Sequence, residues 1–259
     1  MAKKNPGDIL SCDWNPVIGC ERCSAGCARC WYLDGIFPWQ RRLGNIPAEV
    51  GPNEHHLFER RLSAAALKAK RGIVGVVQHG DLFWDKVPDE AIDQVLSVVD
   101  AVAGSRRAAG DGGPAGRGAG TKYLLWTKRA ERMADILLRR YPEGLPSYLA
   151  AAVSVEDQST ADLRLPHLSR LRGTRVIALE PLLGPVDLSR HLPAEWIIVG
   201  SETGGGARPL DPRWAASLRD QSVGRGIPFF VKQLGTSHKD SLRSLEGREW
   251  NEFPEGFEK

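Results

Sequence analysis

The 259-residue chain has no cysteine after position 30, only two methionines, 7% aromatic residues and no marked excess of either charge. It also has no run of about 18 apolar residues, the minimum for a helix that spans a bilayer, so no membrane partner is expected. Lys and Arg number 35 against 32 Asp and Glu, a net charge of +3. That balance excludes a histone-like polyanion binder, and the 42% hydrophobic content excludes a mainly disordered chain. The amino-terminal stretch MAKKNPGDILSCDW is too polar for a secretory signal, so a cytoplasmic location is expected.

The five cysteines all lie between Cys12 and Cys30. A disulfide framework would spread its bridges through the fold and would not need an odd number. Clustered thiols in a reducing compartment point instead to a metal. Cys20, Cys23, Cys27 and Cys30 fall within eleven residues, as two CxxC pairs three residues apart. Zinc ribbons separate such pairs by about 12–20 residues. The tighter spacing, with Gly19 and Gly26 to let the backbone curl, resembles loops that hold iron–sulfur clusters. Structural zinc and unligated thiols are the competing readings.

Downstream, apolar β-type runs alternate with helical periodicity. Strands are expected at Ile9–Asp13, Gly72–Gln78, Lys122–Thr127, Ser147–Val155, Thr174–Leu179, Glu195–Gly200 and Ile227–Lys232. Helices are expected at Trp31–Leu43, His55–Lys70, Asp89–Ala103, Arg129–Tyr141, Ser159–Leu171 and Pro212–Arg225. The alternation predicts an α/β fold with six to seven mostly parallel strands and helices outside, either barrel-like or doubly wound. No linker marks a boundary, so residues 1–259 read as one domain, with a flexible Gly-rich insertion at 104–120.

In such folds the ligand site lies at the carboxyl ends of the strands. Those ends carry HGDLFWD (79–85), TKR (127–129), SVEDQ (154–158), LEPLLGP (179–185), GSETGGGARP (200–209) and KQLG (232–235). Trp14 and Trp84 stand near them and are candidates for stacking on a base. A salt bridge between Glu180 and Arg208 is the bland alternative to a ligand role for either.

Cys23-x3-Cys27-x2-Cys30 has the spacing of the radical S-adenosylmethionine (SAM) superfamily. More of the chain, through WNPVIGC…GCARCWY, GDLFW, LLWTKRAERM, SVEDQ, ALEPLLGPVDL, WIIVGSETGGGARPLDPRW and PFFVKQLG, resembles a phage-associated family of unknown function that is itself similar to that superfamily. The resemblance implies a partial (β/α) TIM-like barrel with a radical SAM core. It implies a [4Fe-4S] cluster on three thiolates, SAM on the open iron, and an external one-electron reductant. Cleavage of SAM would give a 5′-deoxyadenosyl radical that abstracts hydrogen from substrate. The family pattern, Cys-x6-Cys-x2-Cys, maps onto Cys20, Cys27 and Cys30, with Cys23 as the alternative first ligand.

By placement within that resemblance, Gly80 and Asp81 meet the amino group of SAM, and Ser154 and Glu156 its ribose. Arg208 stands ready to pair with a carboxylate. Glu180, Glu202 and Lys128 are the catalytic candidates, and Arg129, Lys232 and Gln233 face the substrate side. A nucleobase or nucleotide, such as a modified base in phage DNA, is the compatible substrate, and the host cytoplasm the compatible location. The reading from a different class is a non-enzymatic phage accessory protein that binds zinc or an Fe–S cluster.

Overall fold

A computed structural model describes residues 9–108, 120–192, 194–236 and 242–257. From the amino terminus it places β1 (Cys12–Trp14), then β2 (Val17–Ile18), which pairs antiparallel with β3 (His56–Leu57). Between those two lie the cysteine loop, a π-helical turn over Trp31–Ile36 and α1 (Phe37–Arg42). The chain continues through α2 (Ala64–Lys68), β4 (Ile73–Val76), α3 (Asp89–Ala108), β5 (Lys122–Thr127), α4 (Ala130–Arg140) and β6 (Leu149–Ser154). It ends with α5 (Gln158–Leu168), β7 (Thr174–Leu179), β8 (Trp196–Gly200), α6 (Pro212–Val223), β9 (Phe229–Gln233) and the small pair β10 (Ser244–Leu245) and β11 (Arg248–Glu249).

Seven strands form one sheet in the order β1-β4-β5-β6-β7-β8-β9, every neighbour parallel. The order never reverses, so each crossover returns on the same face and the sheet curls into a half-barrel. This decides between the two architectures left open by the alternation. A doubly wound sheet would reverse its strand order at a switch point.

Strand parity separates two cores. Val74, Tyr123, Leu125, Ala151, Val153, Ile177, Ile197 and Val231 point outward and bury the apolar stripes of α3 to α6. Leu124, Ala150, Ala152, Val176, Trp196, Ile198 and Phe230 point into the concave face, where Ile9 and Phe257 join them without any helix residue. Near-continuous apolar strands are what a sheet buried on both faces requires.

Two expected elements differ. No helix spans 55–70. His56–Leu57 pairs with β2, Arg61 stacks 3.7 Å from the Phe58 ring, and the Trp14 indole donates to the Arg61 carbonyl at 2.9 Å. These tertiary contacts override the local period, and only Ala64–Lys68 is helical. Positions 104–108, expected within the Gly-rich insertion, belong to α3. Residues 109–119 lie outside the described residues.

Candidate functional site

The strand parity of the concave face, carried past its apolar positions, reaches Lys128, Ser154, Glu156, Glu180 and Lys232. The polar sequence segments therefore gather at one end, the carboxyl mouth. The cysteine loop after β2 lies across it, tied to the loop after β4 by a bridge between Gly19 and Gly80. Gly80 has φ 144°, and a side chain on it would meet the Gly19 carbonyl.

Three mouth elements grip the cysteine loop. From the turn after β5, Arg129 donates to the Glu21 carbonyl at 2.8 Å and to Cys23 Sγ at 3.0 Å. From the end of β6, Glu156 Oε1 accepts from Ser24 at 2.7 Å, Lys128 Nζ at 2.6 Å and Arg164 at 3.2 Å. From the loop after β8, Arg208 donates to the Ala25 carbonyl at 2.9 Å and pairs with Glu202, while Arg29 of the cysteine loop reaches back to the Gly205 carbonyl at 3.3 Å. The loop passes so close to β6 that a Cβ on Gly26 would sit 2.6 Å from the Glu156 side chain.

The electrostatics follow from these contacts. Burial pushes the Glu156 carboxyl up, but Lys128, Arg164 and Ser24 more than offset it and hold it below the usual range. Arg208, bonded to Glu202, does the same there. Glu156 is fully buried, and its second oxygen, Oε2, has no hydrogen-bond partner among the described residues. A buried acceptor left open in this way costs free energy unless a ligand donor meets it.

Cys23 and Cys27 bring their sulfurs to within 3.9 Å of each other. The hydrogen bond from Cys23 lowers the Cys27 thiol to about 5, and the same contact pushes Cys23 up. Burial, helped by the charge of Asp81, raises Cys20 to about 12. Cys30 caps the π-helical turn by accepting from the Leu33 amide. Cys12 is apart from the others, packed against the outer core with its thiol toward the Arg71 carbonyl. Among the described residues, no three His, Cys, Asp or Glu side chains are already gathered as a metal site.

The remaining sequence candidates find defined places. Asp81 is occupied by chain donors: Thr127 at 2.7 Å, the Phe83 amide at 3.0 Å and the Lys128 amide at 3.1 Å. The Ser154 hydroxyl accepts from the Trp126 indole at 2.8 Å. Arg208 pairs with Glu202, and Glu180 with Lys232 at 2.6 Å, so the anticipated Glu180–Arg208 pair does not form. Trp14 and Trp84 are buried in the outer core and present no stacking face, because both lie on the helix-covered side of the sheet.

Glu180 Oε1 accepts from both Lys232 and Gln233, the latter at 3.0 Å, and none of the three has a hydrogen bond or ion pair to the cysteine loop. Sequence reasoning missed Ser24, Arg29 and Arg164. The last was readable: it stands with Ala161, Leu165 and Leu168 on the apolar stripe of α5, where a buried arginine demands a partner.

The chain matches the family described as "Protein of unknown function (DUF5131)" over residues 9–107 and 115–254. It belongs to that family. The break between the matched stretches falls inside the Gly-rich segment 104–120. No curated protein and no solved structure matches.

Proposed function

We propose that this DUF5131 member is a radical SAM enzyme acting on a nucleobase or nucleotide, such as a modified base in phage DNA. The observation that carries the reading is one loop with four thiols laid across the carboxyl mouth of a half-barrel, over a buried carboxylate with an open oxygen. The donor set fits an iron–sulfur cluster, since soft thiolates on a tight loop suit it. Cys20, Cys27 and Cys30 would hold it, with Cys23 as the alternative to Cys20. When bound and reduced by an external one-electron donor, such a cluster supplies the electron that cleaves SAM.

The chain's own groups divide the rest of the work. Glu156 offers Oε2 to a ligand donor while Lys128 and Arg164 balance its charge. Glu202 and Arg208 fix the loop that carries the thiols. Glu180, Lys232 and Gln233 form a fork of acceptor and donors that matches the polar edge of a base. A base held in duplex DNA would have to be flipped into the mouth.

A second reading, a zinc-binding accessory protein without catalysis, has one observation in its favour. Zinc–thiolate bonds of about 2.3 Å place neighbouring sulfurs about 3.8 Å apart, close to the Cys23–Cys27 separation. Anaerobic loading with iron and sulfide, then dithionite and SAM, separates the two. Release of 5′-deoxyadenosine supports the enzyme, and a colourless chain that carries one zinc and leaves SAM intact overturns it.

A further inference from the structure

A cluster site on Cys20, Cys27 and Cys30 leaves Cys23 over, and the fold gives that thiol a partner. Cys23 is exposed, whereas Cys27 is buried behind it with its sulfur 3.9 Å away. The tight turn closed by the Cys27 amide on the Ser24 carbonyl, at 2.9 Å, sets the two residues one turn apart on one side of the loop. The Arg129 guanidinium donates to Cys23 Sγ at 3.0 Å and holds that side chain at the loop surface. Cys20 and Cys30 point elsewhere, toward the Glu21 carbonyl and the Leu33 amide.

We propose that Cys23 and Cys27 form a reversible disulfide in the metal-free chain, formed by exchange with a low-molecular-weight disulfide. Cys23, the exposed member of the pair, gives up its proton and attacks one sulfur of oxidised glutathione, forming a mixed disulfide and releasing one glutathione as its thiol. Cys27 then attacks Cys23 Sγ, which breaks the mixed disulfide and releases the second glutathione. Two protein thiols are oxidised, one glutathione disulfide is reduced, and the two protons leave on the two glutathione thiols. The bridge withdraws Cys27, a member of both candidate ligand sets, so it locks the loop against cluster loading. The exchange itself stands apart from the radical SAM reading; only the lock rests on it.

The test uses the full-length metal-free chain with oxidised glutathione under argon, read by thiol titration and peptide mass mapping. A single Cys23–Cys27 bridge is expected, with a loss of about 2 Da and two titratable thiols. Cys20→Ser should keep the bridge, and Cys27→Ser should trap a glutathione adduct on Cys23. In Cys23→Ser the buried Cys27 should stay reduced. A bridge from Cys27 to Cys20 or Cys30, or no reaction at Cys23, overturns the proposal. Iron uptake by the oxidised chain should return only after thiol reduction. Uptake without reduction overturns the lock and leaves the exchange standing.

Discussion

The charged groups at the mouth fall into two sets that look alike in sequence and differ in the fold. Glu156 and Glu202 are buried, with side chains 0% and 3% exposed, and each is bonded to the cysteine loop directly or through an arginine. Glu180 and Lys232 are 17% and 33% exposed, and neither is hydrogen-bonded to that loop. A carboxylate at a strand end is therefore not catalytic by position alone. The first set holds the cysteine loop in place, and the second is bonded within itself.

The largest effect should come from removing the most buried member. Glu156→Ala leaves the Lys128 and Arg164 charges facing a vacated site, and breaking a buried pair in this way costs about 3–5 kcal/mol. Denaturant unfolding should show that loss. A change below about 1 kcal/mol, the scale of exposed pairs, would place Glu156 in the second set.

Glu202→Gln should act more locally. It keeps the shape and removes the charge that holds Arg208 and Arg29, at a cost of about 1–3 kcal/mol. Hydrogen exchange of amides 20–30 should then speed up while that of α3 to α6 stays unchanged. The pH dependence has the same origin. The folded Glu202 carboxyl lies below its ordinary value of 4.5 because of Arg208, so its contribution is complete above that value. It is lost as pH falls through the lower folded value. Wild type should loosen in this loop on acidification below 4.5, and Glu202→Gln should show a flatter profile.

The smallest effect on stability is expected at Glu180→Gln, within about 1 kcal/mol for a partly exposed pair. Its readout is binding. Saturation-transfer NMR with thymidine and its N3-methyl analogue should show discrimination in wild type that the variant loses. Equal signals from both nucleosides in wild type would remove the fork from base recognition.

Much of the half-barrel was legible because strands of four to six apolar residues, bounded by polar strand ends, announce themselves. Thr174–Leu179 and Lys122–Thr127 fall where periodicity puts them. The 55–70 segment was not legible, since its pairing with Val17–Ile18 is set by residues about 40 positions away. The site was legible as an inventory and not as a wiring. Glu180, Glu202, Arg208 and Lys232 all reach the mouth, yet their partners depend on loop approach. The Gly26 contact with Glu156 joins positions 130 residues apart, and no local pattern encodes it.

The most direct measurement is the iron and acid-labile sulfide content of the anaerobically loaded chain beside Cys27→Ala. About four of each per wild-type chain are expected, as a cubane requires, and none retained by the variant. One zinc and no sulfide in wild type, or equal iron in both proteins, would contradict the cluster reading.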